Sequence, residues 1–411
     1  MMIKQLSVNV DRLETLLHDF AQIGKTDNGG VTRLALTELD KQARDLLIKH
    51  SQAAGFKVRI DNIGNIFIRR AGREDLPVVM TGSHGDSQPR GGAYDGIYGV
   101  LAGLEVLLTL NDFNVQTRHP IELVMWTNEE GSRFVPAMMG AAVFTGKLAV
   151  EQAYLIQDRD GISVKEALEQ IGYLGTDQVQ NQPIKAMIEA HIEQGPILEN
   201  LNQTIGIVKG AFAQRWFEVN LTGLAAHAGT TPVTMRQDAI VGMAQCITAL
   251  NQLALKPSSG DVRLTVGMLT TSPNSRNVVA DQAFFTIDMR HYEADLLQRL
   301  ETELRAELTV IAKQLNLQIE IKRVLTMPVI DFDPKCIETI RKATNKYHYP
   351  AIDIISGAGH DACYISTVAP TSMIFIPCVK GISHNEAEAI TRSWCEAGAN
   401  VLLDSLLTLA T

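Results

Sequence analysis

The sequence predicts an α/β protein of two domains, the second inserted into the first. Three observations point there. Short apolar strands alternate with helical stretches up to about residue 212, and the alternation resumes after 328. Between 213 and 327 the rhythm is instead strand, helix, strand, strand, helix, strand, the order of a ferredoxin-like α+β unit. Several strands of the first domain run directly into loops rich in His, Asp and Glu. In open α/β sheets the crevice at strand carboxyl ends is where ligands bind.

Taken in order, Val10 to Ile23 and Thr37 to Ala54 carry helical spacing of Leu, Phe and Ile, with the GGVTR loop between them. Phe56 to Ile60 and Asn65 to Ile68 alternate around Asp61, Asn62 and Gly64, a hairpin pattern. The apolar run Pro77 to Met80 reads as a strand that stops at Gly82 and Ser83, where His84 and Asp86 follow; Asp95 then precedes an apolar helix, Gly99 to Leu110. Ile121 to Trp126 is a further strand, running into Thr127, Asn128, Glu129, Glu130 and Gly131. Ser163 with Glu166 forms a capping box ahead of the helix Val164 to Ile171. Ala186 to Ala190 is a third such strand, followed by His191 to Gly195.

In the inserted region the expected elements are strand Phe217 to Leu221, helix Asp238 to Leu255, strands Val262 to Met268 and Ala283 to Arg290, helix Ala294 to Leu315 and strand Gln318 to Val324. Its polar loops hold His227 and Asn277, and Arg290 closes a strand. Met327 to Pro334 leads back to helix Lys335 to Lys346, strand Ile352 to Ile355, strand Ser372 to Ile376, the loop Pro377 to Asn385 and a terminal helix. The domains are therefore expected at 1–212 with 328–411, and at 213–327.

Composition narrows the function. The 411 residues are 45% hydrophobic and 20% charged with a net charge of -9, so a polyanion such as nucleic acid is a poor partner and a small-molecule substrate a better one. MMIKQLSVNV has no apolar core with a small-residue cleavage site, and no uninterrupted apolar run is long enough to span a bilayer, so a cytoplasmic protein without membrane contact is expected. Cys246, Cys336, Cys363, Cys378 and Cys395 are scattered without a CxxC pair, as expected of reduced, buried thiols.

A single histidine in a polar loop is usually no more than a solvated side chain. Here several strand ends deliver His84, Asp95, Glu130, His191 and His384, a set able to hold two divalent ions through imidazole nitrogens and carboxylate oxygens. Asp95, at the head of a helix, is the natural bridge, giving His84, Asp95 and His191 to one ion and Asp95, Glu130 and His384 to the other. The carboxylate of Asp86, two residues from His84, is expected to accept the second ring N–H. Glu129 and Glu130, as neighbours on extended backbone, should point apart, leaving Glu129 to act as general base.

In this order, GSHGDSQPRGGAYDG, TNEEGSRF, HIEQGPILE, HAGTTP, SGAGHDA and GISHNEAE resemble the motif series of hydantoinase/carbamoylase-type metalloamidases. These include N-carbamoyl-L-amino acid hydrolases, ureidopropionases and allantoate amidohydrolases, within a dizinc peptidase clan. The resemblance implies a phosphorylase/hydrolase-like catalytic domain with a mixed sheet, an inserted lid that also forms a homodimer, and two divalent ions. Zinc is expected first, with manganese, cobalt or nickel as substitutes. It implies cleavage of the carbamoyl group of N-carbamoyl-L-amino acids, with allantoate or ureidopropionate as alternatives and an aminoacylase or dipeptidase further off. Glu129 then serves as base, and His227 steadies the oxyanion, in one arrangement from the partner subunit's lid. Gln194, Asn277, Arg290, Gly359 and His360 hold substrate. One departure is Gly85, where the family usually carries a larger aliphatic residue, so packing beside His84 is expected to loosen.

Overall fold

Among the described residues up to Ala211, the chain lays down six strands: β1 (Lys57–Ile60), β2 (Ile66–Arg70), β3 (Val78–His84), β4 (Ile121–Trp126), β5 (Ile184–Ile192) and β6 (Ile205–Ala211). The computed structural model describes residues 6–177, 182–256, 258 and 260–411, so the first five residues of the opening MMIKQLSVNV segment lie outside it. Two units emerge, Met1–Gly210 with Asp331–Thr411, and Ala211–Ile330.

The second unit holds β7 (Ala213–Thr222), β8 (Ala226–His227), β9 (Arg263–Thr265), β10 (Leu269–Ser272), β11 (Val278–Val279), β12 (Gln282–His291) and β13 (Gln318–Met327), with helices Ala239–Leu255 and Ala294–Gln314. Its five-stranded sheet runs β10-β12-β7-β13, with β9 also on β12, and the pairings are antiparallel. Alternate residues of β7 and β12, such as Phe217, Val219, Phe285 and Ile287, enter a core shared with Leu300 and Leu304. The strand expected over Val262 to Met268 is shorter, β9 alone, and β10, which the sequence reading does not include, begins just after it at Leu269. β8 and β11 form a separate ribbon that pairs His227 with Val278.

The first unit resumes with β14 (Ile330–Asp331), β15 (Ala351–Ser356) and β16 (Thr371–Ile376). Its nine-stranded sheet is ordered β1-β2-β4-β3-β5-β16-β6-β14, with β15 on β6. The run β4-β3-β5-β16 is parallel, while β2 on β4 and β6 on β16 are antiparallel, so the sheet is mixed. Every residue of β3, β4 and β16 is buried, as parallel strands covered on both faces require. The helix Ile97–Asp112 is buried along almost its whole length. It approaches the sheet through Gly99, where a Cβ would stand 2.1 Å from the Ala190 carbonyl oxygen.

Two strands run further than their apolar stretches suggest. β3 continues to His84, paired with Trp126, and β5 continues through His191, paired with Phe375. Both histidines therefore sit on strands and not in the loops after them. Polarity does not end these strands because their polar side chains are satisfied internally: Thr81 Oγ1 donates to the Ile188 carbonyl and Ser83 Oγ to Glu189.

Candidate metal centre

Four neighbouring parallel strands end on the same side, and their carboxyl ends supply the polar groups. β3 ends on His84, β4 leads into Glu129 and Glu130, β5 carries His191, and the segment after β16 carries His384. Asp95 stands just ahead of the helix Ile97–Asp112. The intervening Gly96 has φ +66°, and a Cβ there would lie 2.2 Å from His84 Nε2, so only glycine leaves room for the imidazole.

The bridging carboxylate divides its oxygens. Asp95 Oδ1 lies 3.3 Å from His191 Nε2 and 4.0 Å from His84 Nε2. Asp95 Oδ2 lies 3.2 Å from His384 Nε2, which is 3.4 Å from Glu130 Oε2. Donors about 2.0–2.2 Å from a shared tetrahedral ion stand roughly 3.3–3.6 Å apart; three of these pairs lie at or within about 0.1 Å of that spacing, and His84 stands further from Asp95 at 4.0 Å. His84, Asp95 and His191 thus form one potential ligand set, and Asp95, Glu130 and His384 a second.

Hydrogen bonding supplies an independent test of fit. His84 Nδ1 is 3.0 Å from the Asp86 main-chain carbonyl and His191 Nδ1 is 2.9 Å from that of Ile192. A carbonyl can only accept, so each Nδ1 carries the proton and each Nε2 presents its lone pair to the cluster. Asp95 Oδ1 and His191 Nε2 are buried without a hydrogen-bond partner. Two orphaned lone-pair donors facing one another are a costly arrangement that a cation resolves.

Asp86 corrects the expectation made for it. The proton of His84 goes to its main-chain carbonyl, while its carboxylate oxygens accept the backbone N–H groups of Glu129 and Glu130, each at 3.2 Å. The two glutamates are thereby held as a pair at the backbone and diverge at their tips. Glu129 Oε2 lies 3.5 Å from His84 Nε2, whereas Glu130 turns to His384 and accepts from Gln88 N at 3.0 Å and Gln88 Nε2 at 2.8 Å.

Protonation follows burial and crowding. Burial, with Asp361, Glu130 and Asp86 nearby, holds the Glu129 carboxyl well above the usual carboxylate range. Burial likewise pushes Glu130 up to about 8 against the pull of His384, and brings His84 down to about 4. Burial opposes the charges on Asp95 and His384, yet their mutual hydrogen bond wins: Asp95 falls well below its ordinary value and His384 rises to about 9. The cluster holds protons where a divalent cation would take their place.

The remaining expected residues divide between the units. Gln194, at φ 58°, donates through Nε2 to Asp95 Oδ2 at 2.9 Å. His360 is buried with its ring centroid 4.6 Å from that of His191, its Nε2 is 2.9 Å from Ser356 Oγ, and Gly359 precedes it half-buried. His227, Asn277 and Arg290 belong to the second unit. His227 is exposed, and its Nδ1 accepts the N–H groups of Gly229 and Thr230 at 3.0 and 3.2 Å, which leaves Nε2–H as an outward donor. The Asn277 carbonyl receives the N–H of Ala228 at 3.0 Å. Arg290 grips Asp288, with Nε–oxygen distances of 2.9 and 3.0 Å.

Several supporting groups escaped the sequence reading. Arg33, in the GGVTR loop, is buried and donates to the Gly85 carbonyl at 2.6 Å. Glu189, buried inside β5, accepts from Ser83 Oγ at 2.7 Å and the N–H of Ala362 at 3.1 Å. Glu388, in the GISHNEAE segment, accepts the N–H groups of Tyr94 and Asp95. A usable signal existed for Glu189 alone, as a charged residue inside the otherwise apolar run Ala186 to Ala190. Packing at Gly85 is not looser, because the Met125 methyl fills the space, 1.8 Å from where a Cβ would stand.

Residues 80–408 match the model of peptidase family M20/M25/M40. An N-carbamoyl-L-amino-acid amidohydrolase of Rhizobium meliloti is 43% identical over 404 residues, 98% of this chain and 97% of the relative. An allantoate amidohydrolase of Bacillus subtilis is 32% identical, covering 95% of both chains. Among solved structures, a hydantoinase/carbamoylase-family amidase from Burkholderia vietnamiensis superposes with a TM-score of 0.97 at 47% identity, covering 100% of this chain and 99% of that one.

Proposed function

The chain belongs to peptidase family M20/M25/M40, and from that premise we propose that it is an N-carbamoyl-L-amino-acid amidohydrolase, releasing amino acid, ammonia and carbon dioxide. The observation that carries this reading is the pair of ligand sets joined at Asp95, with Glu129 beside His84. Relatives bearing that activity's name span nearly the whole chain.

We assign His84, Asp95 and His191 to one divalent ion and Asp95, Glu130 and His384 to the other. Zinc is the first choice, and manganese, cobalt or nickel suit the same donors. When bound, such ions supply Lewis-acid polarisation of the substrate carbonyl and acidify water toward neutral pH. Glu129 takes the proton of the attacking water and passes it to the leaving amine nitrogen, which frees the amino acid and a carbamate that breaks down to ammonia and carbon dioxide. His227 gives its Nε2–H to the developing oxyanion, in the site of a partner subunit. Gln194, Asn277, Gly359 and His360 orient the ureido group, and the planar fork of Arg290 exchanges Asp288 for the substrate α-carboxylate.

The second unit is read as a ferredoxin-like lid and dimerisation domain, which its strand order supports. Val233 and Met235, 77% and 71% exposed, and the nearby Ile240 and Val241 offer an apolar surface for a second copy. No helix among the described residues is long and apolar enough to cross a membrane. The five free thiols suit a reducing, cytoplasmic setting.

Allantoate hydrolysis is the second reading, favoured by the relatives of that name. The deciding experiment strips the protein of metal and reloads it with zinc, manganese, cobalt or nickel. Each form is assayed on N-carbamoyl-L-amino acids, allantoate, N-acyl-amino acids and dipeptides. Preferential turnover of allantoate moves the assignment to the second reading, and no turnover of any substrate by any metal form sinks both.

A further inference from the structure

Glu388 is a buried acid that the chemistry above does not use. It is 5% exposed, and its Oε1 accepts the main-chain N–H groups of Tyr94 at 2.9 Å and Asp95 at 3.0 Å. Its Oε2 accepts the Ser383 hydroxyl at 2.8 Å. Ser383 Oγ also lies 3.2 Å from Asp95 Oδ2, the oxygen that faces His384 Nε2. Gly92 makes room for this junction, since a Cβ there would stand 2.0 Å from the Glu388 carboxyl carbon. One carboxylate therefore joins the loop that carries Asp95 to the loop that carries His384.

The two ligand sets are not supported alike. The rings of His84 and His191, 3% and 1% exposed, are each oriented by a main-chain carbonyl within two residues. The His384 side chain is 49% exposed, and its backbone stands at φ 52°, where a residue with a Cβ is held only by its surroundings. Two links join His384 to Asp95: Gln194 Nε2, 2.9 Å from Asp95 Oδ2 and 3.5 Å from His384 Nε2, and the backbone-anchored bridge through Ser383 and Glu388.

We propose that Glu388 is a positioning residue for the second ion, setting the distance between the bridging carboxylate of Asp95 and His384 by holding the Asp95 amide and the Ser383 hydroxyl together. This inference rests on the two-ion reading of the preceding section. Outer groups that orient metal ligands typically carry about 10- to 100-fold in affinity, and here the effect should fall on one ion alone.

The test titrates the metal-free full-length protein with Co²⁺, following stepwise affinities by calorimetry and each ion's visible absorption. Wild type should take up two ions. Glu388→Ala should keep the first affinity within about threefold and weaken the second by about 10- to 100-fold. Ser383→Ala, which removes one hydroxyl and decides the matter if Glu388→Ala does not fold, should shift the second step in the same direction by a smaller factor. Equal weakening of both steps, or no change in either, overturns the inference while leaving the two-ion reading intact. A wild type that binds a single ion sinks that reading and this inference with it.

Discussion

Asp86 offers the sharpest test of how the base and the second ligand set are aimed. In Asp86→Asn the amide oxygen can keep one of the two backbone N–H groups, of Glu129 or Glu130, but the amide nitrogen must face the other. At 3.2 Å these bonds are long for a charged acceptor, so the one that is lost is worth about 1–1.5 kcal/mol, and the buried N–H left without a partner costs about 1–3 kcal/mol more. A total of roughly 2–4 kcal/mol, at about 2 °C per kcal/mol for a unit of this size, lowers Tm by about 4–8 °C. The measurement belongs at pH 8, because burial pushes the Asp86 carboxyl up to about 7 and it must be ionised to compare with the amide. Turnover should fall as well, by up to about 10²-fold if the Glu129 tip moves by an ångström. Occupancy of the first ion should not change, since the carbonyl that orients His84 is untouched by the substitution. A variant with wild-type Tm and turnover would falsify the idea that this carboxylate holds the glutamate pair.

Other substitutions and conditions separate the remaining roles. Glu129→Gln should retain two ions by elemental analysis while kcat drops by about 10²–10⁴-fold, as expected for a lost general base; near-normal turnover would remove Glu129 from that role. Gly96→Ala forces a Cβ against His84 Nε2 at a backbone φ of +66°, so binding of the first ion should fail while circular dichroism stays native. Retained stoichiometry would mean that the imidazole does not need that space. For the metal-free protein, Glu130 at about 8, Asp86 and Glu388 at about 7 and His384 at about 9 all lie above their unfolded values. Stability linked to such groups is complete below the unfolded value and is lost as pH rises through the folded one. His84, held down at about 4 by burial, adds stability with rising pH only until its unfolded counterpart has titrated near 6.5, the lower edge of this range. Thermal unfolding of the stripped protein should therefore shift to lower temperature between pH 6.5 and 9, and zinc loading should flatten the trend. A stripped protein whose Tm rises over that range would contradict it.

The cluster of candidate ligands was legible because apolar strands that end abruptly in His, Asp and Glu leave few physical readings when the pattern recurs. β4 was bounded correctly for the same reason: IELVMW is apolar apart from Glu122, and a polar turn follows. Supporting residues were hidden, since their work is done through the backbone of distant segments. Nothing local tells that Asp86 will reach the amides of Glu129 and Glu130, or that Glu388 will meet Tyr94 and Asp95. Strand ends at His84 and His191 were placed too early because local polarity was allowed to outweigh pairing, whereas the neighbouring strands carry the register through. Arg33 was taken for part of a spacer because its carbonyl partners, Gly85, Phe20 and Ile23, come together only in the fold. The short helix Met139–Phe144 and the strand β6 went unread, being brief apolar runs without a clear period.

The insertion of β16 between β5 and β6 has a consequence for how the protein is born. Its two neighbours leave the ribosome well before it does, and the inserted unit is made in the interval. Until Thr371–Ile376 emerges, β5 has an uncovered edge, and His384, further along the chain, has not emerged either. His84, Asp95, Glu130 and His191 all precede the inserted unit in the chain, whereas His384 follows it. The candidate set of Asp95, Glu130 and His384 is therefore complete only once the chain beyond the inserted unit has been made.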